Sequence, residues 1–156
     1  MIVTIGRLEE WGACEDARLR FARDYPNGLD MPVKQIAEIP MLREAPYWCL
    51  WFLHEVAARA DGKDGDDAFA LLVERADPSR LAKAVNEIKG RDIQPALAKL
   101  CKGTDAYALF LVAERAKGEA GHTAAIRMAQ CLDEHEREAV LARLPADRAD
   151  IVRRSK

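Results

Sequence analysis

Cysteine, histidine and serine, the residue types most specific to nucleophilic and metal chemistry, are few in this chain. There are four cysteines (Cys14, Cys49, Cys101, Cys131), three histidines (His54, His122, His135) and two serines (Ser79, Ser155). Cys14 stands just before an acidic run, and a thiol at a helix N-terminus can have a lowered pKa and act as a nucleophile. No histidine lies near it in sequence to serve as a base, so a small buried hydrophobe is the expected role. Ser79 is expected in the first turn of a helix and Ser155 in a frayed tail, so no serine elbow is expected. There is no P-loop, no G-x-G-x-x-G and no H-E-x-x-H. His54, followed by Glu55 at the end of an apolar helix, is expected to be a hydrogen-bonded structural histidine rather than a general base. His122 is expected to be exposed. These absences predict a protein that is not an enzyme and takes no cofactor.

Metal chemistry is expected to be absent as well. Cys131 and His135 are four residues apart, a spacing that puts two ligands on one helix face. Two ligands do not make a zinc site, and Asp133-Glu-His-Glu136 has the D-x-x-E form of a capping box that would break the helix between them. The "DGKDGDD" stretch at 61–67 clusters aspartates as a calcium loop does. Counted from Asp61, however, the third, fifth and twelfth positions are Lys63, Gly65 and Leu72; counted from Asp64, the twelfth is Arg75. The expectation is a glycine-rich turn whose aspartates cap and favourably charge a helix at Asp67–Arg75.

Those residues must be positioned by helices, because helix signals dominate the chain. At 156 residues, 49% hydrophobic and 32% charged, it is long enough for a sizeable core and too apolar for disorder. Asp77-Pro78 is a cap followed by proline at the first helical position, after which Leu81, Ala84, Val85 and Ile88 recur at helical spacing until Gly90. Asp92 opens a second helix carrying Ile93, Ala96, Leu97 and Leu100, with Gly103 at the expected left-handed C-cap. Thr104 is expected to cap the next. Ala106–Ala113 is apolar throughout, and so is Tyr47–Leu53, which carries two of the three tryptophans. Both predict central helices apolar all round, and Tyr47–Val56 and Ala106–Ala113 are expected to be the most buried of all. No period-two run of β-branched residues and no Asn-Gly hairpin occurs. The fold class is therefore all-α, a compact bundle of eight to ten short helices forming a single helical domain over 1–156.

Two lines in the middle of the chain are nearly alike. "AFALLVERA" (68–76) and "ALFLVAERA" (108–116) share Ala, Leu and the closing Glu-Arg-Ala. Each precedes an amphipathic helix ("SRLAKAVNEI" and "HTAAIRMAQCL") and then a third ending "ALAKL" or "VLARL". The triplet recurs with a period of about 40 to 44 residues, as in HEAT or armadillo-like repeats. Residues 64–145 are thus two candidate repeat units, unless the match reflects only the helix-favouring residues Ala, Leu, Glu and Arg.

Residues 1–30 form a distinct N-terminal segment. Thr4 can cap a short helix that Gly12 ends, and a second helix would bury Ala17, Phe21 and Cys14. Within "LEEWGACEDARLRFARDYPNG" (8–28), the residues Leu8, Trp11, Gly12, Ala13, Cys14, Phe21, Tyr25, Pro26 and Gly28 follow an L-x-x-[WL]-x-A-C pattern leading to an aromatic residue and a Pro-Gly-type stop. This segment resembles one found in small helical proteins of bacteriophages, prophages and bacteria. It departs from them in having Ala17 and Arg18 where a glycine often follows the cysteine. The resemblance covers about 20 residues and implies a phage or mobile-element setting rather than an activity.

Charge gives the remaining functional content. The opening residues Met1–Gly6 lack a charged region followed by an apolar run, so no signal peptide is expected. Tyr47–Leu53 is too short to span a bilayer, which needs ~20 residues. With no C-x-x-C pair, the thiols are expected to be reduced in a cytoplasm. The net charge of −2 excludes a uniformly basic coat for nucleic acid. Residues 55–77 hold seven acids and three bases, net −4, whereas 78–103 hold six bases (Arg80, Lys83, Lys89, Arg91, Lys99, Lys102) and two acids, net +4. Such segregation either steers a charged partner or is neutralised between solvated helix faces.

The sequence therefore predicts a non-enzymatic protein–protein interaction module whose partner-binding residues are Arg80, Lys83, Arg91, Lys99 and Lys102. In a phage setting that suggests an inhibitor of a host defence complex, anti-CRISPR-like, in the host cytoplasm. The alternatives are a nucleic-acid-binding helical module, against which the acidic total and the lack of aromatic interleaving count, or an immunity-type protein.

Overall fold

Twelve helices and one two-residue ladder account for the regular structure in a computed structural model that describes residues 1–154. Ser155 lies outside the described residues. The fold is all-α, and none of the described helices is long and apolar enough to cross a membrane. The backbone divides into two compact units at Arg75–Ala76. That division falls within the first of the two candidate repeat units.

The first unit contains β1 (Ile2–Val3), α1 (Ile5–Glu10), α2 (Glu15–Asp24), β2 (Leu29–Asp30), α3 (Val33–Ile36), α4 (Pro40–Glu44), α5 (Pro46–Arg59) and α6 (Gly62–Arg75). Thr4 caps α1 by accepting from the Arg7 N–H at 3.3 Å. Leu8, Trp11, Ala13, Ala17 and Phe21 from the α1–α2 region are all buried, and Trp11 stacks obliquely on Phe52 of α5, ring centroids 6.2 Å apart. Gly28 lets the chain return beside β1, where Val3 pairs antiparallel with Leu29. It has φ +75°, and a Cβ there would lie 2.6 Å from the Val3 carbonyl oxygen, so only glycine fits.

Three expectations for this unit are corrected. Cys14 is exposed, because it is the N-cap residue of α2 and not part of its inner face. The helix expected at Asp67–Arg75 starts at Gly62, so all of "DGKDGDD" after Asp61 is helical and not a turn. Lys63–Asp67 and Lys34–Asp67 ion pairs at 2.5 and 3.2 Å and a buried Gly65 hold that early turn. Finally, α5 is one-sided. Cys49, Phe52, Leu53, Val56 and Ala57 are buried, but Tyr47 is 63% exposed and Leu50 only half-buried. It packs chiefly on α6 and α4, and two neighbours cannot cover a helix apolar all round.

The second unit contains α7 (Pro78–Glu87), α8 (Gln94–Leu100), α9 (Ala106–Arg115), α10 (Glu119–Cys131), α11 (Glu134–Leu141) and α12 (Ala146–Arg154). Here the expected central helix is found: Ala108 through Ala113 are all buried, and α9 packs on α7, α8 and α10. Asp77 caps α7, accepting from the Arg80 N–H at 2.9 Å. Asp133 and Glu136 form the full capping box of α11, which separates Cys131, the last residue of α10, from His135 in the next helix. Two cap assignments change. Asp105 rather than Thr104 caps α9, accepting from the Ala108 N–H at 2.7 Å, since a carboxylate complements the positive helix end better than a hydroxyl. Gly103 is not left-handed, because α8 closes through Cys101 instead.

Helices this short leave many carbonyls without an internal partner. Arginines from other helices supply it. Arg75 on α6 donates to the Ala37 carbonyl after α3 at 3.5 Å, and Arg115 on α9 to the Val85 carbonyl of α7 at 3.3 Å. Arg127 on α10 donates to the Cys101 carbonyl after α8. Arg137 on α11 donates to the Ala129 and Leu132 carbonyls ending α10, at 2.6 and 3.2 Å. Arg148 on α12 donates to the Ala113 and Ala116 carbonyls ending α9, at 2.6 and 2.5 Å.

Arg148 is the deepest of these, 8% exposed. Its guanidinium passes over the backbone of α10 at Gly121, where a Cβ would lie 2.5 Å from Cζ. Arg148→Ala should cost about 2–4 kcal/mol through two lost charge-assisted bonds and two stranded carbonyls. Gly121→Ala should cost about 1–3 kcal/mol by overpacking, but almost nothing once Arg148→Ala is present. Denaturant melts of the four-member double-mutant cycle measure this, and additive losses would refute the close approach.

Burial ranks the core leucines. Leu53→Asp and Leu111→Asp place a charge where the parent side chains are 0% and 2% exposed, and each should cost more than about 3 kcal/mol. Leu50→Asp should cost visibly less in the same thermal-melt series.

Candidate functional site

The basic stretch 78–103 becomes the α7–α8 pair. Leu81, Ala82, Ala84 and Val85 of α7, and Ala96, Leu97 and Leu100 of α8, face inward. Arg80, Lys83 and Glu87, at helical spacing, form the outer stripe of α7. The Lys99 ammonium, near the end of α8, reaches the Ala76 carbonyl just before α7 at 3.0 Å, so the two helices run antiparallel. Arg80, Lys99 and Lys102 therefore gather at one end of the pair, with Lys83 one turn in. Lys89 and Arg91 lie at the other end, in the loop between the helices.

These cations differ in how firmly the fold holds them. Arg80 pairs with Asp77 at 3.4 Å and Lys83 with Glu87 at 3.9 Å, all four groups well exposed. Such pairs contribute little to stability and exchange readily for an external acid. Arg91 is half-buried. Lys99 is half-buried and satisfies a backbone carbonyl, so it belongs to the fold as much as to the surface. Lys89 and Lys102 are exposed, with no ion-pair partner among the described residues.

The acidic stretch is partly neutralised within its own unit. Glu55 binds Arg59 at 2.8 Å, and Asp67 is shared by Lys63 and Lys34. Lys63 holds the Asp67 carboxyl below its ordinary range, chiefly through their hydrogen bond.

The side chains weighed for catalysis are dispersed. His54 is half-buried, its Nδ1 3.5 Å from Glu55 Oε1. Cys101 is half-buried with Sγ 3.6 Å from the Ala120 carbonyl oxygen, and Cys131 is exposed. Cys49 is buried, and burial pushes its thiol up even though the Arg75 guanidinium nearby pulls the other way. That environment keeps sulfur as thiol rather than thiolate. Among the described residues no three His, Cys, Asp or Glu side chains cluster as a metal site would require.

Sequence reasoning missed one polar cluster. His122 Nε2 and Asp147 Oδ2 are 2.7 Å apart, linking α10 to α12 next to the buried Arg148. A glycine inside a helical run, Gly121, was the available signal, since it marks close approach of another group. The pair has no nucleophile assigned to it and sits about half exposed, so its chemistry is that of a clasp.

The His122 hydrogen bond holds the Asp147 carboxyl below its ordinary value of 3.8. A carboxylate with a depressed folded-state pKa stabilises the fold above its unfolded pKa and loses that contribution as pH falls through the folded value. Asp147→Asn should therefore melt lower than the parent near pH 5, with the gap narrowing as pH is taken below 4. A gap that stays constant from pH 5 to pH 2 would show that Asp147 carries no such linkage.

No protein-family model matches the chain, and no curated protein or solved structure matches it either.

Proposed function

We propose that the protein is a non-enzymatic interaction module that docks an acidic protein surface on the outer face of α7–α8. The observation that supports this most is the concentration of net charge +4 over residues 78–103, which comprise α7, α8, the loop between them and the turn after α8, with the apolar faces of both helices already buried. Arg80, Lys83 and Lys102 form the centre of the docking face. Arg91 extends it into the connecting loop, and Lys99 contributes charge while bracing the end of α8. Cations in exposed pairs can change partners at small cost, which suits steering and capture of an acidic partner.

The likeness of residues 8–28 to small phage and prophage proteins supports a host-cell setting for that partner. There the module acts as an inhibitor of a host defence complex, in the manner of anti-CRISPR proteins, or as an immunity-type protein. The residues that carry the likeness also have a packing role, since Leu8, Trp11, Ala13 and Phe21 build the core of the first unit.

The test is a charge-reversal variant, Arg80→Glu/Lys83→Glu/Lys102→Glu, used as bait in bacterial lysate beside the parent. The parent should retain a protein complex after nuclease treatment, with retention weakening as salt rises. The variant should lose it at unchanged helicity and nearly unchanged melting temperature. Lys99 is left intact because its reversal would strand the Ala76 carbonyl. Loss of all captured material on nuclease treatment would establish the nucleic-acid reading instead, and capture indifferent to the reversals would place the interface elsewhere.

A further inference from the structure

The first unit contains an open cleft of about 280 Å³ between the end of α3, α4, the start of α5 and the last residue of α6. Leu42, Cys49 and Leu50 give it an apolar floor, and Glu38, Arg43 and Arg75 stand at its mouth. Its volume is near the lower end for small-molecule sites.

The charges at the mouth do not cancel. Arg75 is fixed on one wall: it donates to the Ala37 carbonyl at 3.5 Å, to Cys49 Sγ at 3.7 Å and to Glu38 Oε1. That contact holds the Glu38 carboxyl below its ordinary range, so it stays ionised and spoken for. Arg43 is exposed, close enough for Glu38 to feel its charge, and has no ion-pair partner among the described residues. One positive charge is left over above a floor of hydrocarbon and a neutral thiol.

A cation would meet repulsion from two guanidinium groups. A multiply charged anion would have to approach Glu38 and give up hydration over an apolar floor without enough donors to replace it. A single carboxylate matches the fork geometry of a guanidinium, and an apolar body behind it would cover Leu42 and Leu50. We propose that this cleft binds a small monoanionic organic acid, its carboxylate on Arg43 beside Arg75 and its apolar body against Leu42, Leu50 and the Cys49 sulfur. This site is independent of the α7–α8 face.

Benzoate is a suitable probe, with benzamide and inorganic phosphate compared at constant ionic strength. An NMR titration of the full chain should give saturable shifts centred on residues 37–50 with benzoate, and at least about tenfold weaker binding for benzamide. Arg43→Gln changes an exposed side chain and should weaken benzoate by about tenfold without moving the melting temperature. In a Cys14→Ser/Cys101→Ser/Cys131→Ser background, saturating benzoate should slow alkylation of Cys49 severalfold. Should that background fail to fold, the titration of the parent and of Arg43→Gln still decides. Absence of saturable binding, equal affinity in Arg43→Gln, or phosphate competing as well as benzoate would each overturn the proposal.

Discussion

The constraint on which this fold depends is the supply of donors for helix C-termini. A helix leaves its last four carbonyls without internal partners, and in segments of ten residues or fewer those carbonyls are a large share of the backbone. Five helix ends are met by an arginine from another helix: α3 by Arg75, α7 by Arg115, α8 by Arg127, α9 by Arg148 and α10 by Arg137. Each contact satisfies a carbonyl, complements the negative end of the helix dipole and fixes where one helix sits against another. A guanidinium suits this because its fork reaches two carbonyls at once, as Arg148 and Arg137 do.

This use of arginine changes how the charge of the chain should be read. A chain that is 32% charged looks, in sequence, like one with a heavily solvated surface. Six of its 24 lysines and arginines, Arg75, Lys99, Arg115, Arg127, Arg137 and Arg148, instead bind carbonyls at helix ends, where they have a structural partner. Among the cations not held in this way are the outer stripe of α7, Lys102, the loop cations and Arg43 at the mouth of its cleft. The contrast between Lys99 and Lys102 makes the point, for they are three residues apart, at the end of α8 and in the turn that follows it, yet one ammonium satisfies a carbonyl and the other is exposed.

Local chemistry was legible in the sequence wherever a cap used a side chain with its own signature. Thr4, Asp77 and the Asp133–Glu136 box all act as their residue types require, and of the apolar block Ala106–Ala113 the stretch Ala108–Ala113 is buried as its composition demands, while Ala106 and Tyr107 are exposed. Legibility failed where the deciding partner is distant in the chain. "DGKDGDD" has turn composition, but it is helical from Gly62, and its Asp67 pairs with Lys34, which is distant in the chain. Leu50 and Tyr47 belong to an apolar run, but the fold leaves Tyr47 exposed and Leu50 only half-buried on their side of α5. Cys14 has the statistics of a buried residue and the position of a cap. The Arg148 site was hidden for the same reason: nothing near residue 148 shows that two carbonyls at 113 and 116, and a glycine at 121, need it.

The two similar lines, "AFALLVERA" and "ALFLVAERA", can be understood on the same terms. Ala68, Phe69, Leu72 and Ala76 are buried in the first, and Ala108, Leu109, Val112 and Ala116 occupy the same four places in the second. The penultimate arginine of each, Arg75 and Arg115, reaches the closing carbonyl of a different helix. Small residues at the first and last of these places let a neighbour approach closely, the large ones between fill the interface, and the arginine then lands on the exposed end of the element beside it. Yet the main neighbours differ, α5 and α3 for α6 but α7, α8 and α10 for α9, and α9 additionally buries Phe110, Leu111 and Ala113. The likeness therefore follows from a local requirement met twice, that of seating a helix by its inner face and clasping a foreign helix end with its last charged residue, whichever helices happen to surround it.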